Sequence, residues 1–124
     1  MRRPEDAFHL TVASMLTLII APPGEISELG VYWFSIEHRN AKSAFEGAMR
    51  KARGVVAGIP DIQIGHEGRT FWIELKAGNG SLSSAQRDLH GVIQAARQKV
   101  AICRTLDGII SFLDQNAIPH RGIC

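Results

Sequence analysis

Pro60-Asp61 is followed, thirteen residues after the aspartate, by Glu74-Leu75-Lys76, with a single turn-forming stretch between them. If that stretch closes a hairpin, two carboxylates and an amine meet at one spot, the equipment a magnesium-dependent phosphodiesterase needs. Side chains alternate along a strand, so in Phe71-Trp72-Ile73-Glu74-Leu75-Lys76 the residues Trp72, Glu74 and Lys76 share one face and Phe71, Ile73 and Leu75 the other. In Ile59-Pro60-Asp61-Ile62-Gln63-Ile64, Asp61 and Gln63 oppose Ile62 and Ile64 by the same period. Gly65-His66-Glu67-Gly68-Arg69 is rich in turn formers, so the two runs are expected to pair antiparallel with Asp61 near Glu74. Carboxylates held that close repel each other, and hard oxygen ligands with open positions suit Mg²⁺, with Mn²⁺ as a substitute.

A Glu and a Lys two apart on a strand are ordinarily a solvated surface pair, and Pro-Asp alone is ordinarily a turn. The combination points further, because Trp72 and Gly58-Ile59-Pro60 make this hairpin too apolar for a free-standing ribbon.

The elements around it are expected as follows. Pro4 to about Ile20 reads as a buried amphipathic helix stopped by Pro22-Pro23-Gly24. Glu5 falls on the stripe of His9, Val12 and Leu16, making it a candidate third acid of the site or a first-turn acid facing the helix dipole. Gly30 to Ile36 reads as a strand whose Tyr32-Trp33-Phe34 belongs to the core or to a dimer contact. A helix over Ala41 to Lys51 precedes the hairpin, which spans about Val56 to Lys76. A helix capped by Ser83 or Ser84 runs to about Gln98 with Leu89, Val92, Ile93 and Ala96 on its apolar stripe. Val100-Ala101-Ile102-Cys103 reads as a strand at the centre of a covered sheet, and a last helix covers Leu106 to Leu113. The fold class is α/β, a mixed sheet flanked by helices.

At 124 residues and 45% hydrophobic content, a single globular domain over 1–124 is expected. The net charge of +2 is too small to establish a polyanion partner, so its distribution matters more. Arg39, Lys42, Arg50, Lys51 and Arg53 face only Glu46 in their stretch, a local excess that favours phosphate contact beside an acid cluster. Met1-Arg2-Arg3 before an apolar run superficially copies an export signal. Glu5, Asp6 and His9 interrupt the pattern, and the run is too short to span a bilayer, so no membrane association is expected. Cys103 is read as a buried small hydrophobe and Cys124 as the chain end, so no disulfide is expected and a cytoplasmic setting fits. The five histidines lack zinc-site spacing.

Three stretches taken together carry a family resemblance. Gly54-Val55-Val56-Ala57-Gly58-Ile59-Pro60-Asp61, Trp72-Ile73-Glu74-Leu75-Lys76 and Leu82-Ser83-Ser84-Ala85-Gln86 resemble the VRR-NUC branch of the PD-(D/E)XK nuclease superfamily. The likeness extends from the Pro4-Glu5-Asp6 helix to Leu113, as in stand-alone bacterial and phage members. It implies a restriction-endonuclease-like core in which Asp61, Glu74 and the backbone carbonyl of Leu75 ligate Mg²⁺. It further implies that Lys76 orients or deprotonates the attacking water, and that Gln86 stands beside the centre. Glu5 matches the acid on the family's first helix, near the metal directly or through a water. The name-giving Val-Arg-Arg element is not legible, Ala52-Arg53-Gly54-Val55 being nearest.

The expected activity is metal-dependent DNA phosphodiester hydrolysis without an organic cofactor. The resemblance implies for the smallest members a homodimer that resolves four-way (Holliday) junctions in repair or recombination, in a bacterial or phage-infected cell. A short chain also gains most from pairing two sites by symmetry. The alternatives are a general, restriction-type or flap nuclease, a non-catalytic nucleic-acid-binding module, and a structural subunit of a larger assembly.

Overall fold

The computed structural model describes residues 4–37 and 40–122; Arg39 and Cys124 lie outside the described residues. Eight elements follow one another: α1 (Pro4–Ile19), β1 (Val31–Ser35), α2 (Ala44–Ala52), β2 (Ile62–His66), β3 (Arg69–Leu75), α3 (Ser84–Ala95), β4 (Lys99–Cys103) and α4 (Leu106–Gln115). The strands form one sheet in the order β1-β2-β3-β4, with β1, β2 and β3 antiparallel and β4 parallel to β3. A mixed sheet flanked by helices is thus the architecture, as the order of elements in the sequence implied.

One face of the sheet carries the core. Val31 and Trp33 of β1, Ile62 and Ile64 of β2, and Phe71, Ile73 and Leu75 of β3 alternate onto it. Val12, Met15, Leu16 and Ile19 of α1 cover them, together with Ile109, Phe112 and Leu113 of α4. Trp33 is buried and donates its indole N–H to the Ala21 carbonyl at 2.7 Å, whereas Tyr32 and Phe34 lie half-buried on the opposite face, stacked 5.8 Å apart. That opposite face is covered at its other end by α3.

Several boundaries depart from the sequence reading. The hairpin ladder begins at Ile62, not near Val56, because Gly58 holds a φ of +88° and Pro60 has no N–H to donate. A two-residue turn closes it, with positive φ at both Glu67 and Gly68, the geometry that matches strand twist. The strand expected at the sheet's centre, β4, is an edge strand. Its apolar composition reflects cover on both faces, since α3 and α4 each pack on it, yet Ile102 remains partly in solvent. Helix α3 buries His90 and Ile93 and leaves Val92 exposed, so its inward face is turned away from the expected Leu89-Val92-Ile93-Ala96 stripe. Helix α2 buries none of its residues, and Phe45 and Met49 face solvent. Among the described residues no helix is long and apolar enough to cross a membrane.

Candidate active site

Continuing the β2–β3 register one step past Ile62↔Ile73 places Asp61 opposite Glu74. Two backbone contacts hold it there. The Asp61 carbonyl accepts the Ile36 N–H at 2.8 Å, and its side-chain Oδ2 accepts the Leu75 N–H at 2.7 Å. The aspartate is thus fixed to the residue between Glu74 and Lys76, which brings the two carboxyl groups within hydrogen-bonding range of each other.

Glu74 is 1% exposed. Burial pushes its carboxyl up to about 8, and the neighbouring Asp61 adds to this by hydrogen bond and by charge, with a smaller push from Glu5; Lys76 pulls the other way. Both Glu74 oxygens meet nitrogens from α3: Oε1 lies 3.1 Å from His90 Nε2, and Oε2 accepts from Gln86 Nε2 at 3.3 Å. Lys76 sits just past the end of β3, its side chain buried and its N–H bonded to the Cys103 carbonyl at 3.1 Å. It is close enough for its charge to act on both Glu74 and His90, and burial together with that charge holds the imidazole below its ordinary range, hence neutral.

Helix α3 is aimed by its own start. Ser83 caps it, its hydroxyl accepting the Gln86 N–H while Gln86 Oε1 accepts the Ser83 N–H at 2.9 Å. That capping box orients the Gln86 amide, leaving Nε2 to face Glu74. The 54–59 loop packs against the same turn so tightly that a Cβ on Gly58 would collide with the Ala85 carbonyl. Beyond it opens a cleft of about 1000 Å³ between α2, this loop and the start of α3, lined by Arg50, Lys51, Arg53, Val55, Val56 and Gln86 among others.

The structure therefore brings together Asp61, Glu74, Lys76 and Gln86. Glu5 stands at the margin: it is exposed on the first turn of α1, its Oε1 faces Gly80 beside the Lys76 stem, and its charge reaches Glu74. Of the basic residues, Arg50, Lys51 and Arg53 line the cleft while Lys42 does not, and Arg50 is paired to Glu46 at 2.6 Å. His90 is the site residue that the sequence reading passed over. Its signal was the four-residue spacing from Gln86, which stacks the two on one helix face.

Among the described residues no set of three acidic, histidine or cysteine side chains converges to hold a metal by itself. The oxygen donors that do converge are Asp61 and Glu74, the latter held protonated first by burial and then by the neighbouring Asp61; a hard cation with open water positions would displace that proton and offset both carboxylates. Asp61, Glu74 and the Leu75 carbonyl are the groups that fit it.

No family profile matches the chain, and no curated protein matches it. A solved structure described as a VRR_NUC domain protein does match, with a TM-score of 0.61 and 22% identity over 93% of this chain and 88% of the other. The two share a fold over nearly their whole lengths.

Proposed function

We propose that this chain is a divalent-metal-dependent DNA endonuclease acting on branched DNA as a homodimer, a four-way-junction resolvase. The observation that carries the reading is the abutting Asp61–Glu74 pair, one member buried and proton-retaining, with the Lys76 ammonium alongside. Structural side chains seldom bury an acid and a lysine beside a second, half-buried acid, because an uncompensated buried charge is costly. The shared fold with a VRR_NUC domain protein supports the same reading.

Mg²⁺ bound by Asp61, Glu74 and the Leu75 carbonyl would neutralise charge on the scissile phosphate and acidify a water. The chain's own groups do the rest. The Leu75 N–H locks Asp61, and Gln86 and His90 hold Glu74, so the acid pair is set before substrate arrives. Lys76 would orient the attacking water and add positive charge beside the phosphate. Glu5 contributes from the solvent side. Lys51, Arg53 and Arg50 would lead the backbone along the cleft towards Gln86, with Lys42 as a further phosphate contact.

The test is cleavage of a synthetic four-way junction, a linear duplex and a plasmid, each with Mg²⁺, with Mn²⁺ and with EDTA. Paired symmetric nicks in the junction that need the metal are expected. Equal cutting of linear duplex would replace the resolvase by a general nuclease, and metal-independent or absent cleavage would overturn the proposal.

A further inference from the structure

His90 was not among the site residues expected from the sequence, yet it is 6% exposed and its ring nitrogen meets a Glu74 oxygen at 3.1 Å. It lies one helical turn beyond Gln86, and the two donors take different oxygens of the same carboxylate, Oε1 from His90 and Oε2 from Gln86. A glutamate on a strand can turn about its side-chain bonds, and a single donor leaves the carboxylate free to swing. Two donors on one rigid helix define its plane. Gln86 is itself fixed by the capping box, at 2.9 Å to the Ser83 N–H, so α3 acts as a two-point clamp whose second point is His90. Without that point, the opposite charge acting on Glu74 is Lys76, and Glu74 is expected to turn towards the ammonium and pair with it.

We infer that His90 is a positioning residue of the metal centre: by donating Nε2–H to Glu74 Oε1 it keeps that carboxylate facing Asp61 rather than Lys76, and so sets the affinity for the divalent ion. The inference rests on the nuclease reading above. Groups that hydrogen-bond metal-ligating side chains commonly govern metal affinity in this way.

Two variants of the full chain separate this role from packing. In His90→Gln, the amide nitrogen reaches roughly the place of Nε2; His90→Leu fills the space without a donor. Mn²⁺ binding is measured by calorimetry without DNA, alongside thermal melting in EDTA. His90→Leu is expected to bind Mn²⁺ about 10–100-fold more weakly than wild type, His90→Gln to within a few-fold of it, and junction cleavage by His90→Leu to recover as metal is raised. Because metal binding also stabilises a weakened fold, a folding defect is recognised instead by a lowered melting temperature in EDTA. Wild-type Mn²⁺ affinity in His90→Leu, or an equal loss in both variants, overturns the role of His90 while leaving the nuclease reading standing. Failure of the wild-type chain to bind Mn²⁺ overturns both.

Discussion

Replacing Glu74 by glutamine is expected to stabilise the metal-free protein at neutral pH while abolishing cleavage. The Glu74 carboxyl is pushed from 4.5 up to about 8 in the folded chain, so between those values the folded state holds a proton that the unfolded state has released. Stability from this group is therefore full below pH 4.5 and falls as pH rises towards 8. At about 1.4 kcal/mol per unit, the loss amounts to roughly 3 kcal/mol at neutral pH. Glutamine cannot ionise and so escapes this loss. Its NH₂ can donate to Asp61 as the protonated acid does, but it cannot accept on both ends from His90 and Gln86, which costs about 1 kcal/mol. At pH 7.5 the loss grows to about 4 kcal/mol, so the net expectation there is a gain of about 3 kcal/mol, or several degrees in melting temperature, shrinking to nothing or reversing near pH 5. Melting of wild type and Glu74→Gln in EDTA at both pH values reads this directly. A Glu74→Gln protein no more stable than wild type at pH 7.5, or a difference independent of pH, would refute the argument that Glu74 is kept buried at the expense of stability.

Other consequences follow from the same geometry. If the Lys76 ammonium acts on the water and phosphate rather than as a ligand, as proposed, Lys76→Ala should lower metal-dependent junction cleavage by at least about 100-fold while leaving Mn²⁺ binding measurable by calorimetry. Gly58→Ala should cost more than about 2 kcal/mol in urea unfolding, since the position needs a left-handed backbone and the new Cβ meets the Ala85 carbonyl. Lys51→Ala with Arg53→Ala should weaken binding to all DNA alike and reduce the slope of log affinity against log salt by about 2.

Much of the site could be read from the chain because it rests on strand periodicity. The alternation in Phe71 to Lys76 and the Glu67-Gly68 turn fix the pairing of Asp61 with Glu74, and both the register and the turn angles agree. Where periodicity is silent, the reading went astray. An unbroken apolar run such as Val100 to Cys103 reports that both faces are covered but not how many strands flank it, so the edge position of β4 was not legible. Helix α3 was assigned an inward face from its apolar residues, whereas its buried face begins with Gln86 and His90, which bond Glu74 and thereby offset their own desolvation. His90 went unnoticed because a lone histidine matches no metal spacing. Glu5 shares its stripe with buried Val12 and Leu16 but lies in the first turn of α1, before the stripe becomes buried, so it remains in solvent.

The central claim is that Asp61 and Glu74 hold one cation beside Lys76. Anomalous diffraction from crystals soaked in Mn²⁺ tests it directly. The account predicts a peak between the two carboxylates within ligand distance of both, lost in Asp61→Asn. A peak elsewhere at saturating Mn²⁺, or none, would contradict it.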